Sequence, residues 1–244
     1  MLLLPRYLSR AGVASRKQAE QAVFDGRVTV NGRVVRDVLA TVSPGRDRVA
    51  LDGAMVEEKS SFTWLAMNKP RGVLTTTSDP EGRPTVMGLL KTPPPGLAPV
   101  GRLDQDSGGL LLLTDEHALA AALLAPETHV LKVYRVKVRG HPSAEALARL
   151  GTETVEIEGL RLGPLQLEVD STTNTSSWLT VRLAEGKNRQ IRRRLEAEGH
   201  PVLVLVRTGF GPIALGDLPP GQVRPLSPNE RASLASAVKS GRPG

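Results

Sequence analysis

The stretch Gly101-Arg102-Leu103-Asp104-Gln105-Asp106-Ser107-Gly108-Gly109, followed by Leu110 to Leu113 and Thr114-Asp115-Glu116, gathers carboxylates, a serine and an arginine around one apolar run. A serine between an aspartate and two glycines invites comparison with the nucleophile segment of trypsin-like proteases. The histidines speak against it. His117, His129, His141 and His200 all follow Ser107, whereas those proteases place their histidine before the serine. The same histidines lack metal-ligand spacing, and the chain has no cysteine, so no metal site and no thiol nucleophile are expected. There is also no glycine-rich loop ending in Gly-Lys-Ser/Thr for nucleotide hydrolysis. Taken alone, Asp104 reads as a turn or capping residue rather than a catalyst.

A second charged segment, Glu185-Gly186-Lys187-Asn188-Arg189-Gln190-Ile191-Arg192-Arg193-Arg194, carries five cations and one anion. It runs from a strand end into a helix. Ile191 and Leu195, four apart, anchor that helix to the core and leave Arg189, Arg192 and Arg193 for its exposed side. Cations clustered at a helix N-terminus oppose the macrodipole and suit the binding of phosphate or carboxylate. Near the chain start, Arg10, Arg16, Lys17 and Arg27 form another basic group, with Arg16 and Lys17 in the first turn of a helix. A phosphate contact and a solvated basic face both fit those four.

The elements that must position these groups can be read from pattern. Residues 3 to 11 have helical apolar spacing, with Gly12 as a C-terminal cap. Ser15-Arg16-Lys17-Gln18 has the form of a capping box that opens a second helix, which Gly26 ends. Asn31-Gly32 between Val28-Thr29-Val30 and Val34-Val35 signals a hairpin, because both turn positions need positive φ. Glu57 to Ser61 is the expected linker. Beyond it, strands are expected at Phe62 to Met67, Val73 to Thr77, Leu110 to Leu113, Val133 to Val138, Val155 to Ile157, Leu165 to Val169, Leu179 to Leu183 and Val202 to Val206. Helices are expected from Asp115, as N-cap, to Leu124, and from Arg189 to Glu198. Strands outnumber helices without regular alternation, so the fold class is α+β on a mainly antiparallel sheet.

The chain has 244 residues, 40% hydrophobic and 23% charged, with 32 basic against 25 acidic side chains, a net charge of +7. Such a chain can bury a core and favours a polyanionic partner. Aromatic residues are 3% of the chain, with two tyrosines, Tyr7 and Tyr134, so any base stacking must rely on few side chains. No segment approaches the roughly 20 apolar residues of a membrane span. The protein is therefore read as cytoplasmic.

Leu8-Ser9-Arg10-Ala11-Gly12-Val13-Ala14-Ser15-Arg16-Lys17-Gln18-Ala19-Glu20, followed by Gly26-Arg27-Val28-Thr29-Val30-Asn31-Gly32, resembles the S4 RNA-binding domain. Downstream, Gly101-Arg102-Leu103-Asp104, Ser107, Gly109 to Thr114, Lys132-Val133-Tyr134 and Glu185 to Arg193 together resemble the RsuA/RluB-type ribosomal RNA pseudouridine synthases. Met67 to Gly72, Gly82 to Val86 and Leu205-Val206-Arg207 add to the likeness, which spans nearly the whole chain in family order. The chain departs from the family at Asp106-Ser107-Gly108, where a threonine-glutamate or acidic pair is common, and at Arg194, where a methionine is common.

The resemblance implies an S4 domain over 1–60 and a catalytic domain over 61–244, with a tail frayed from about 236. It implies conversion of a uridine of ribosomal RNA to pseudouridine, with large-subunit RNA preferred to small-subunit RNA. The RNA would be met as a pre-ribosomal particle or structured fragment, by a monomer and without a cofactor. Asp104 would be the essential carboxylate, attacking C1′ or C6 or acting as a base at C2′. Tyr134 would stack on the flipped base, and Lys187 would be the cation held against the aspartate. Arg102 would position the loop or the RNA, and Leu205 would pack under the base. Arg10, Arg16, Lys17, Arg27, Arg189, Arg192 and Arg193 would contact RNA. Ser107 then becomes a loop residue and Asp106 a solvated turn acid. The rival to this reading is a non-catalytic S4-type RNA-binding or ribosome-assembly factor.

Overall fold

A computed structural model describes residues 1–14, 16–57 and 61–240. It divides into two compact units: Met1–Trp64 with Thr92–Ala98 and Thr114–Ala120, and Leu65–Lys91 with Pro99–Leu113 and Ala121–Gly244.

In the first unit, helices α1 (Leu4–Arg10) and α2 (Arg16–Phe24) precede β1 (Val28–Val30), β2 (Arg33–Val35), β3 (Val49–Leu51) and β4 (Ala54–Met55). The four strands form one antiparallel sheet in the order β2-β1-β3-β4. Leu4 and Leu8, four apart on α1, meet Ala19, Ala22 and Val23 of α2 and Val28 and Val49 of the sheet in one buried cluster. The small alanines allow α2 to lie close. The hairpin forms as the sequence indicates, with φ of 52° at Asn31 and 80° at Gly32. Ser15 and residues 58–60 of the linker lie outside the described residues. Asp115, expected as a helix cap, is buried and accepts the backbone N–H of Thr63 at 2.8 Å.

The second unit is built on a nine-stranded sheet. Its principal elements are β5 (Trp64–Lys69), β6 (Gly108–Thr114), α3 (His117–Leu124), β7 (Lys132–Arg139), α4 (Ala144–Thr152), β8 (Gln166–Thr172), β9 (Ser176–Leu183), α5 (Gln190–Ala197), β10 (Val202–Phe210), β11 (Val223–Pro225) and α6 (Pro228–Ser240). The strand order is β8-β9-β7-β10-β6-β5-β11, with Ala98–Pro99 added beside β6 and Ile213–Ala214 beside β10. The pairs β8/β9, β9/β7, β7/β10 and β5/β11 are antiparallel, while β10 and β6 run parallel. This is the mixed, mainly antiparallel α+β arrangement expected from the sequence.

All seven residues of β6 are buried, as its run of leucines requires of a strand covered on both faces. Helices α4 and α5 place Leu150, Ile191 and Leu195 against Val136, Val138, Leu179, Val181, Leu183 and Leu205, with Tyr134 packed at the edge of that cluster. Three expectations change. Val73 to Thr77 forms no strand; Leu74 makes a single bridge to Thr85. Helices α4 and α6 were not anticipated, and α6 runs to Ser240, past the point where a frayed tail was expected. Among the described residues no helix is long and apolar enough to cross a membrane.

One contact sets the spacing at the sheet centre. Gly109 has φ +98°, and a Cβ there would lie 2.3 Å from the backbone oxygen and 2.6 Å from the backbone nitrogen of Arg207. A side chain would force β6 and β10 apart. Gly109→Ala is therefore expected to cost about 3 kcal/mol or more, read as a lower urea midpoint, or to prevent soluble folding.

Candidate active site

Asp104 sits in the loop that enters β6, and that loop is held from below by a buried lysine. Lys69, the last residue of β5, is fully buried and donates to the carbonyl oxygens of Pro70 (3.1 Å), Asp104 (3.0 Å) and Ser107 (2.8 Å). An ammonium has three N–H donors, and here all three are used. Burial pushes Lys69 down to about 8, an effect opposed by the charges of Asp104 and Asp106. The loop is tightened further by Ser107 N–H to Asp104 O at 3.0 Å and Gly72 N–H to Gln105 O at 2.7 Å. The sequence contained Lys69 within the segment Met67 to Gly72, but nothing in the spacing marked it as the anchor of Asp104.

A cavity of about 580 Å³ opens over this loop. Its lining includes Asp104, Arg102, Tyr134, Lys187, Arg189, Arg192 and Leu205, so seven of the residues singled out in the second unit converge. Tyr134 projects from β7 opposite Arg207 of β10, and Leu205 from β10 opposite Val136, which puts ring and leucine on the same face of the sheet. Leu205 is buried and Arg102 is exposed.

The cation that meets Asp104 is Arg189, not Lys187. Arg189 Nη1 lies 3.3 Å from Asp104 Oδ2 and 3.4 Å from Asp106 Oδ1. Lys187 instead pairs with Glu185 at 2.9 Å and donates to the carbonyl of Arg161 at 2.7 Å. Glu185 also takes a hydrogen bond from Gln190 and one from the Gly163 N–H at 3.3 Å, so it ties the basic loop to its neighbours. Arg189 occupies the position before α5 with φ 49°. This left-handed conformation is uncommon for a side chain of its size. It turns the chain so that Arg189 leans over the carboxylates rather than along the helix.

A further expectation for α5 is corrected. Arg192 is not on an exposed side: it is buried and donates to the Asp106 carbonyl, the Ser107 hydroxyl and the Val202 carbonyl, at 3.2, 3.2 and 3.3 Å, and its Nη2 lies 3.1 Å from Asp106 Oδ2. Asp106 is thus ion-paired between two arginines while its side chain stays 42% exposed. Arg193 is absent from the cavity lining and pairs with Glu158. Arg194, one of the departures from the family pattern, is buried and donates to the carbonyls of Arg149, Leu150 and Glu153. A cation on these carbonyls closes the C-terminus of α4. Its role is therefore within the fold, whatever residue relatives place there.

The first unit's basic residues Arg10, Arg16, Lys17 and Arg27 are exposed. Arg16 pairs with Glu20 at 3.2 Å, and Arg27 binds the Asp52 carboxylate through two nitrogens. Among the described residues, the first unit gathers no cluster of three acidic or histidine side chains beside them. The chemistry-bearing residues of the second unit amount to a carboxylate beside an arginine, an aromatic ring and apolar side chains at the edge of a 580 Å³ cavity. Such a place can hold a planar ring and present a carboxylate to it.

Comparison with known proteins shows the family to which the chain belongs. Residues 63–197 match the RNA pseudouridylate synthase family and residues 3–47 the S4 domain. The chain is 36% identical over 242 residues to the ribosomal large subunit pseudouridine synthase B of Bacillus subtilis, with 98% of each chain covered. It is 41% identical over 242 residues to a Mycobacterium tuberculosis protein named as an uncharacterized RNA pseudouridine synthase, covering 96% of this chain and 93% of the relative. A crystal structure of a pseudouridylate synthase superposes with a TM-score of 0.66 at 27% identity, over 96% of this chain and 100% of that one.

If the Lys69 ammonium organises the loop, Lys69→Met leaves three buried carbonyls without their donor. The expected result is a loss of at least about 2 kcal/mol, measured by denaturant unfolding. Faster amide hydrogen exchange at Ser107 and Gly72 should accompany it, since both donate within the anchored loop.

Proposed function

We propose that this chain, which belongs to the RNA pseudouridylate synthase family and carries an S4 domain ahead of its catalytic one, converts one uridine of ribosomal RNA to pseudouridine. The observation that carries the residue-level reading is the placement of Asp104 and Tyr134 on one cavity, with Arg189 against the carboxylate.

The reaction breaks the C1′–N1 bond and forms a C1′–C5 bond. Substrate and product contain the same atoms at the same oxidation level, so the chemistry asks for placement and proton transfer rather than an external reagent. The uridine leaves the RNA stack to reach a reactive group within the protein. Its ring stacks on Tyr134 with Leu205 beneath it, and Asp104 faces the sugar. Asp104 attacks C1′ or C6 or takes the C2′ proton. Arg189 orients the carboxylate through the contact at 3.3 Å. Lys187, held by Glu185 on the same cavity, and Arg102 at its mouth meet the RNA backbone on either side of the extruded nucleotide. Arg192 supports the loop through Asp106 and Ser107 from within.

Arg10, Arg16, Lys17 and Arg27 of the first unit, all exposed, supply phosphate contacts that hold structured RNA without reading its bases. Arg193, exposed in part beside Glu158, adds to them once that surface pair opens. The net charge of +7 favours such a partner. The target is placed in large-subunit RNA, within a pre-ribosomal particle or a structured fragment of it. The Bacillus relative, named for that subunit and alike over its whole length, supports this choice. The protein acts in the cytoplasm as a monomer.

Asp104→Asn is expected to keep RNA affinity within about 3-fold while lowering pseudouridine formation by about 1,000-fold or more. Chemical mapping of pseudouridine in ribosomal RNA checks both activity and target. One site should be missing from cells lacking the protein and should return with the wild-type chain but not with Asp104→Asn. Full modification by that variant would remove Asp104 from the chemistry, and a missing site in small-subunit RNA would move the target.

A further inference from the structure

At the inner end of the cavity stand two more cations that the reading above leaves unused. Lys132 and Arg207 both line it, and both are buried, at 9% and 3% exposure. Lys132 lies two residues before Tyr134 on β7, and Arg207 faces Tyr134 across the β7/β10 pair, so all three share the face on which the base would rest.

The immediate partners of these cations are notable for what they are. Lys132 Nζ donates to the carbonyl of Ala184 at 2.7 Å and lies 5.7 Å from the Phe210 ring centre. Arg207 Nε donates to the carbonyl of Leu110 at 2.7 Å, and its guanidinium carbon lies 5.3 Å from the same ring. Among the described residues neither makes an ion pair with a carboxylate, and Arg207 Nη2 is buried without a hydrogen-bond partner. Burial together with the charge of Arg207 pushes Lys132 down to about 8. Two like charges gathered about one aromatic ring, with a donor unsatisfied, cost folding free energy that an anion or a strong acceptor would offset. The charged groups at the cavity mouth differ: Arg189 and Lys187 are exposed and already paired with acids.

We propose that Lys132 and Arg207 bind the carbonyl oxygens of the detached uracil and stabilise it as an anion. The proposal rests on the isomerase reading. When the C1′–N1 bond breaks heterolytically, its electron pair leaves with the base and spreads over N1, O2 and O4. C5 then bonds to C1′, the C5 proton is lost, and N1 regains a proton, so no charge remains on the product. Cations placed where that transient charge appears lower the barrier more than they tighten ground-state binding. The ring must also turn before C5 can reach C1′. A lysine and an arginine on one face can donate to either carbonyl oxygen and hold the base through that turn. Depth argues for the base rather than for a phosphate, because the backbone of a flipped nucleotide stays toward the mouth, where the exposed cations stand.

The test uses the full-length protein under single-turnover conditions with a ribosomal RNA transcript made with uridine or with 5-fluorouridine. Fluorine at C5 makes the departing base a better-stabilised anion without help from the protein. Loss of the original nucleoside is followed by chromatography after nuclease digestion, and RNA affinity is measured in parallel. Lys132→Met keeps the shape of the buried chain and removes the charge. It should lower the rate on uridine by on the order of 100-fold and the rate on 5-fluorouridine by no more than about 5-fold, with affinity changed by less than about 3-fold. Arg207→Gln should follow the same pattern. Equal losses on both RNAs would mean that the pair only shapes the cavity. Weakened RNA affinity with an unchanged rate would assign it to phosphate, and undiminished rates would remove it from the reaction. If the wild-type chain converts neither RNA, the isomerase reading itself fails, an outcome distinct from an active wild type with unaffected variants.

Discussion

A buried ammonium bonded to three backbone carbonyls holds the Asp104 loop in one shape. Lys69 ends β5, and its contacts to Pro70, Asp104 and Ser107 gather the chain on both sides of Asp104 onto the sheet. The carboxylate itself is left pointing outward, because the lysine binds the main chain of residue 104 and not its side chain. A charge buried this deeply is costly unless fully bonded. The geometry therefore admits little variation: a loop that drifted would strand either the ammonium or the carbonyls. The ordering of Asp104, the seating of Arg192 on Ser107 and the reach of Arg189 to both aspartates all presuppose that loop conformation.

Charge is distributed in two levels over the cavity. Near its mouth, acids and bases pair: Asp104 with Arg189 and Glu185 with Lys187, while Asp106, outside the lining, is held by Arg189 and by the buried Arg192. These pairs position one another and leave no large excess of either sign. Deeper, two cations rest on a phenylalanine ring and on backbone carbonyls. Like charges without acids are uncommon inside a folded chain, and departures from local consistency concentrate where a protein works.

Much of this architecture was legible in the sequence because its signals are short-range. The Asn31-Gly32 turn, the leucine strand after Asp104 and the alternation around Tyr134 each depend on a few neighbouring residues, and each formed as expected. The choice between Lys187 and Arg189 was not legible in that way. The two stand two positions apart in one loop, and which of them faces Asp104 depends on the left-handed turn at Arg189 and on Glu185 holding Lys187 away. Arg192 looked like a solvent-facing helix charge and Arg194 stood out only as a departure from the family pattern, yet both are buried where they satisfy carbonyls of distant segments. The strand expected at Val73 to Thr77 failed for a related reason: its residues find one bridge, at Leu74, instead of a continuous partner strand. Long-range hydrogen-bond demand decided these cases, and pattern reading does not see it.

The close approach of Gly109 to Arg207 also has a temporal side. β6 borders β10 through the register pairs Val206 to Gly108 and Arg207 to Gly109, and the Arg207 side chain returns to Leu110, 97 residues earlier. During synthesis the loop bearing Asp104 emerges long before the strand that walls it in. Pairing over such a sequence separation is slow and must wait for the later strand. The nascent chain can therefore complete its first unit, the one that matches the S4 domain, while the cavity is still missing a wall. The module at the front of the chain is finished before the pocket behind it exists.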